Sequence, residues 1–212
     1  GVGVAERRLD RAAVVDVEAL RARSRALAAA LAALQREDGL WNWFGPASSD
    51  AVSAEVSARA LWALAVAREQ GVQVDPQVIE RARAALDERF RGASADQRDL
   101  KATLLWALAV SGDSDFAHAN RLYRERGELS PVGLAYAILT LHRLGRQEMG
   151  AEMAALLVQR IPAGSGTAAL PELARRPDML WWCAGPAEAA ALAALALEAV
   201  DPDHPGLPGL IE

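Results

Sequence analysis

The stretch "LQREDGLWNWFG", residues 34–45, decides how this chain is read. Asp38-Gly39 specifies a tight turn, because glycine takes the positive φ that such a reversal needs. Gln35 ends the helix in front of the turn. Trp41 behind it is an anchor for a core, since tryptophan contributes mainly through buried area. Trp43 and Phe44 cover an adjacent helix end. The stretch therefore reads as a seam between two helices. An aromatic platform for a ligand is the alternative, with Trp43 as the exposed element.

Outward from this seam the chain reads as helical throughout. Asp75-Pro76 and Ser130-Pro131 each supply an N-cap followed by proline at the first helical position. Ser94 with Gln97 fits a capping box, and Gly185-Pro186 opens a last helix. Gly71, Gly92, Gly112 and Gly145 fall where left-handed C-caps are expected. These signals delimit helices over 9–36 (with a break near Ser24), 51–70, 76–91, 95–111, 114–126, 131–144, 147–161 and 186–200.

The helices alternate in character. Segment 76–91 puts Val78, Ala82, Leu86 and Phe90 on one face and charge on the rest, as a helix half in water does. Segment 95–111 is apolar nearly all round past Lys101. The helices over 9–36, 114–126 and 147–161 follow the first pattern. Those over 51–70, 131–144 and 186–200 follow the second. The apolar helices also repeat one another: "ARALWALAVA" at 58–67 aligns with "ATLLWALAVS" at 102–111, Trp62 over Trp106. "LAYAILTL" at 134–141 puts Tyr136 in the tryptophan place, and "ALAALAL" at 191–197 is a weaker copy. A period of about forty residues holding two helices means stacked hairpins, in an open solenoid or in a ring of two layers. The many alanines on the apolar helices allow the close backbone approach of a crowded inner layer and favour the ring.

Composition sets outer limits. Hydrophobic residues make up 52% and charged residues 24%, which suits a globular core rather than disorder. The net charge of −5, with both signs mixed along the chain, argues against a nucleic-acid partner. Pro186–Val200 is the longest apolar run and is interrupted by Glu188 and Glu198, so no direct membrane insertion is expected. A single cysteine, Cys183, excludes an internal disulfide. The whole of 1–212 is taken as one helical domain, cut from a longer protein, with 201–212 as a proline-rich tail.

The run Gln35-x-x-Asp38-Gly39-x-Trp41 resembles the Gln-x-x-x-Gly-x-Trp motif of the α/α-toroid superfamily, which holds terpenoid cyclases, prenyltransferase β subunits and the thioester domains of α2-macroglobulins. Within that superfamily the chain is most similar to the thioester-containing domain of bacterial α2-macroglobulins. "SAEVSARALWALAVAREQGVQV", "LLWALAVSGDSD" and "WWCAGPAEAAALAALALEAVDPDHP" resemble successive parts of that domain, over roughly residues 26–205. The resemblance implies an all-α, partial α/α toroid of about four hairpins, with outer amphipathic and inner apolar helices. It implies a non-catalytic domain of a protein that traps proteases or defends the envelope, in the periplasm, at the envelope or secreted. Its partners would be other domains of the same polypeptide, and proteases or envelope proteins. The family's reactive Cys-x-Glu-Gln tetrapeptide is absent: Cys183 is followed by Ala184-Gly185-Pro186.

Other residue sets point less far. Trp181 and Trp182, adjacent in an extended connection, face opposite ways; with Trp43 they form the expected interaction surface. Cys183 has no histidine near it in sequence and reads as a small thiol. Asp113, Asp115 and His118 read as a helix start, and Asp201, Asp203 and His204 as tail residues, because neither set brings three or four convergent ligands. No catalytic, cofactor or metal residues are assigned. An enzyme of the same architecture, cyclase-like or carbohydrate-active, is the alternative. It would need two acids facing a cavity, and Glu55 and Glu188 are the acids on the apolar helices. A helical protein-binding scaffold is a third reading.

Overall fold

The computed structural model describes residues 16–42, 54–113, 115–161 and 185–211. Its helices are α1 (Val17–Ala33), α2 (Ala54–Glu69), α3 (Pro76–Gly92), α4 (Arg98–Ser111), α5 (Phe116–Arg124), α6 (Pro131–Arg143), α7 (Gln147–Arg160), α8 (Pro186–Val200) and the short α9 (Pro208–Ile211), with a 3-10 turn at Arg126–Glu128. No strand occurs among the described residues. None of these helices is long and apolar enough to cross a membrane.

The apolar helices form a row, α2 against α4, α4 against α6 and α6 against α8. The charged helices lie outside it: α3 packs on α2 and α4, α5 on α4 and α6, and α7 on α6 and α8. This is the alternation expected from composition. In α6 the whole run Val132–Leu141 is buried, and in α4 Ala102–Ser111 is. In α3 only Val78, Ile79, Ala82, Leu86 and Phe90 are buried.

The row is bent, not flat. Trp62 of α2 meets Trp106 of α4 edge to face, with ring centroids 5.6 Å apart, and also reaches Tyr136 of α6 at 6.2 Å. The three aromatic positions that align in sequence are therefore one cluster in space. At the far end of the helices Arg143 of α6 pairs with Glu69 of α2. Arg59 of α2 reaches Glu188 at the start of α8, 2.8 Å away. Contacts that skip one or two helices require the inner layer to curve on itself, as an α/α-toroid-like fold does and an open superhelix does not.

Close approach inside this layer depends on one glycine. Asp99 of α4 accepts a hydrogen bond from the Ser130 backbone N–H at 3.0 Å, at the start of α6. A Cβ on Gly133 would stand 1.9 Å from the same carboxylate oxygen. Ser130 caps α6 by accepting from Gly133 N–H at 3.2 Å. The carboxylate and the hydroxyl thus share one tight corner that has no room for a methyl group.

Several local expectations are corrected. Helix α1 runs unbroken through Ser24, and its part before residue 16 lies outside the described residues. Gly92 is the last helical residue of α3 and has no positive φ, since the chain leaves through an extended Ala93. Gly71, Gly112 and Gly145, after the inner helices α2, α4 and α6, do take positive φ. Helix α4 starts at Arg98 rather than 95. Gln97 receives Ser94 N–H at 3.0 Å, but the pair closes a turn ahead of the helix. In the proline-rich tail, Leu207 is buried and α9 packs on α8.

Replacing Gly133 by alanine forces Asp99 off Ser130 or pushes α4 and α6 apart. We expect a loss of about 2 kcal/mol or more in urea unfolding, in the range of overpacked cores; a loss below about 0.5 kcal/mol would show that the corner is loose.

Candidate functional site

Gln35, Asp38, Gly39 and Trp41 lie together at the C-terminal end of α1. Helix α1 ends at Ala33, and the Gln35 side chain turns back across the loop. Its amide nitrogen donates to Gly39 O at 3.0 Å and to Val78 O of α3 at 2.9 Å. Its amide oxygen accepts from Arg81 Nε at 3.1 Å and Nη2 at 2.7 Å. One amide thus holds the turn and ties it to the first turns of α3. Gly39 has φ of 83°, and a Cβ there would stand 2.5 Å from Arg81 O. Two independent constraints therefore require glycine. Asp38 accepts from Leu40 N–H at 3.1 Å, as an Asx turn does.

Trp41 is the hinge pin of the seam, 2% exposed. Its indole N–H donates to Leu31 O at 2.7 Å, satisfying a carbonyl of the last turn of α1. Its backbone N–H donates to Ser57 Oγ at 2.9 Å, and Ser57 donates back to Trp41 O at 3.2 Å. All these groups face protein atoms, so the motif joins α1, α2 and α3 rather than lining a pocket. Trp43, Trp181, Trp182 and Cys183 lie outside the described residues.

The two acids singled out on the apolar helices come together. Glu55 sits in the first turn of α2 and is 4% exposed; Glu188 sits in the first turn of α8. Arg59 lies between them. Its Nη1 is 3.2 Å from Glu55, and its Nε and Nη2 are each 2.8 Å from Glu188. Burial works against the Arg59 charge. Tyr136, Glu188 and Glu55 more than offset it, and the guanidinium is held above its usual range. Both carboxylates are thus committed to one cation, an arrangement unlike an acid and base flanking a bond to be cleaved. Arg59 escaped the sequence reading. Its signal was the i, i+4 spacing from Glu55.

The other acid and histidine sets separate. Asp115 caps α5 by accepting from Ala117 N–H at 2.7 Å. Asp113 faces Arg83 at 3.8 Å. His118 packs on Phe90, centroids 4.6 Å apart, and lies 3.6 Å from Asp115. Asp201 accepts from Asp203 N–H, and His204 Nδ1 accepts from Gly206 N–H, so this set shapes a turn. No group of three metal-ligating side chains converges among the described residues.

No protein-family model matches the chain, and no curated protein matches it by sequence. Solved structures do match. Native α2-macroglobulin from Escherichia coli, spanning domain MG7 to the C-terminus, superposes on 91% of this chain with a TM-score of 0.68 and 18% identity. Salmonella α2-macroglobulin reacted with methylamine covers 84% of the chain, with a TM-score of 0.63 and 19% identity. Trypsin-activated α2-macroglobulin from E. coli covers 81%, with a TM-score of 0.55 and 18% identity. The chain spans 30% of the first structure and 12% and 13% of the other two. At these identities the likeness is one of fold, and it is the all-helical, toroid-like fold expected from the sequence.

Two measurements check the site. Gln35→Ala should cost about 1–3 kcal/mol, because it strands the Val78 and Gly39 carbonyls and the Arg81 guanidinium together. Gly39→Ala should cost more, since it meets both the φ barrier and the Arg81 carbonyl; the reverse order in chemical denaturation would remove Gly39 from the seam. For the ion cluster, Arg59→Met and Glu188→Gln in a double-mutant cycle should couple by roughly 1 kcal/mol, discounted from a fully buried pair because both side chains are partly exposed. Additive losses would mean that α2 and α8 do not depend on the bridge.

Proposed function

We propose that this chain is the helical domain of a bacterial α2-macroglobulin-like protein, that it performs no catalysis, and that it serves a protease-trapping polypeptide at the cell envelope or in secretion. The fold shared over most of the chain with the E. coli structure carries this reading. The engagement of Glu55 and Glu188 by Arg59 supports the non-catalytic part, because a glycosidase of this architecture needs two acids held apart and open to substrate. No Cys-x-Glu-Gln tetrapeptide occurs in these 212 residues, in keeping with a scaffolding rather than a reactive part for this stretch of the polypeptide.

Helix α1 supports a docking role beside other domains of the same polypeptide. Val17, Leu20 and Leu27 are 53%, 52% and 60% exposed, at helical spacing on one outer helix.

The test uses the parent polypeptide that contains this domain, incubated with trypsin. A trapping protein changes mobility on a native gel and retains trypsin that still cleaves a small amide substrate but no longer a large protein. Complete digestion without retention overturns the trapping role. In parallel, the parent is assayed for hydrolysis of glycosides and for turnover of prenyl diphosphates. Turnover lost in Glu55→Gln or Glu188→Gln would overturn the non-catalytic reading.

A further inference from the structure

A cavity of about 270 Å³ lies where the last turns of α3 and α5 meet the first turn of α4. Its apolar part is Phe90 and Leu122, 7% and 3% exposed, with Ala95 beside them. Its polar rim is Arg91, Lys101, Arg121 and His118, against a single acid, Glu125. That is a local excess of positive charge on a chain whose net charge is −5.

Most of this rim has an internal account. Arg91 pairs with Asp87. Glu125 is taken by Arg98 at 2.8 Å. His118 packs at a tilt against Phe90 and lies 3.6 Å from Asp115. Arg91 and Arg121 also sit in the last turns of α3 and α5, where a helix dipole favours cations. Lys101 has no such support. It sits in the first turns of α4, where the dipole opposes a positive charge. Among the described residues neither Lys101 nor Arg121 has a carboxylate within salt-bridge distance. Asp96 interacts with Lys101 only weakly. Its carboxyl is held below the usual range first by a hydrogen bond with Ser94, and only to a smaller extent by Arg98 and Lys101.

Two cations with no carboxylate among the described residues in salt-bridge distance, beside an apolar floor and a half-buried ring, make a site of definite chemistry. We propose that this cavity binds a carboxylate carried on a flat apolar body, the carboxylate held by Lys101 and Arg121 and the body against Phe90, Leu122 and the His118 ring. Such a group comes from a free arylalkanoate or from an acidic residue next to an aromatic one in a peptide. The shared chemistry is the same in both. Nothing in the cavity calls for a metal or a nucleophile.

The experiment titrates the chain with 3-phenylpropionate, with its neutral amide and with propionate, following binding by calorimetry and by the His118 ring resonances. The peptide arm uses acetyl-Glu-Phe-amide. Saturable binding of phenylpropionate is expected, with the amide and propionate each weaker by roughly tenfold or more, the scale of one lost charge-assisted contact or one lost ring. Lys101→Gln and Arg121→Gln should each weaken it to a similar degree with only a small shift in thermal unfolding, because neither side chain takes part in an internal ion pair and only a helix-dipole interaction is relieved or lost. Tighter binding of the peptide assigns the cavity to a protein segment; tighter binding of phenylpropionate assigns it to a free small acid. The proposal is overturned by no saturation at about 10 mM, by equal binding of the amide, or by both glutamine variants binding like the parent.

Discussion

The structure depends on one constraint: four helices must lie side by side in a layer that is covered almost everywhere. Once α4 and α6 are buried over most of their circumference, side-chain size sets their separation. Alanines are interspersed among leucines along both helices, three with four in α4 and two with three in α6, and the aromatic residues are placed where the layer curves. Trp62, Trp106 and Tyr136 occupy equivalent positions on successive helices and meet edge to face. That geometry gains quadrupole attraction as well as buried area. Such a cluster forms only if the row bends far enough to bring α2 toward α6.

Burial also dictates what polar groups do there. Thr103 and Thr140 return their hydroxyls to carbonyls one turn back, Asp99 and Tyr136 respectively. Asp99 is spent on the Ser130 N–H. Arg59 takes two carboxylates at once. Each of these polar side chains is thus tied to another element or to its own helix, and an unpaired charge at any of these places would cost several kcal/mol. The same logic extends to the seam at Gln35. A single amide there uses both of its ends, on the turn at Gly39 and on α3, and the Trp41 indole closes the α1 terminus.

Much of this was legible in sequence because it rests on local rules. Proline after Asp75 and Ser130 marks two helix starts, since the missing N–H is one that no helix would use. The tryptophan repeat marks the inner helices, since one packing environment recurs. What stayed hidden is tertiary. Gly92 looks like its fellow glycines, yet the chain leaves α3 through an extended Ala93, a choice made by the following turn. Gly133 carries no local signal at all; its role follows from Asp99, thirty-odd residues earlier in the chain and on another helix. Glu55 and Glu188 were visible as acids on apolar helices. Their common partner, Arg59, becomes apparent only once α8 curves round to α2.

The distinction between the seam and the rim of the α3–α5 cavity bears on what this fold can be used for. In the seam, the side-chain donors and acceptors of Gln35 and Trp41 are satisfied within the chain. A protein that conserves free energy for binding must leave groups imperfectly matched in the free state. Lys101 and Arg121 are such groups. They stand beside an apolar floor, Lys101 on the inner helix α4 and Arg121 on the outer helix α5. The buried part of the inner layer contributes rigidity, and the residues where α4 emerges beside the outer helices α3 and α5 contribute the chemistry proposed for the cavity.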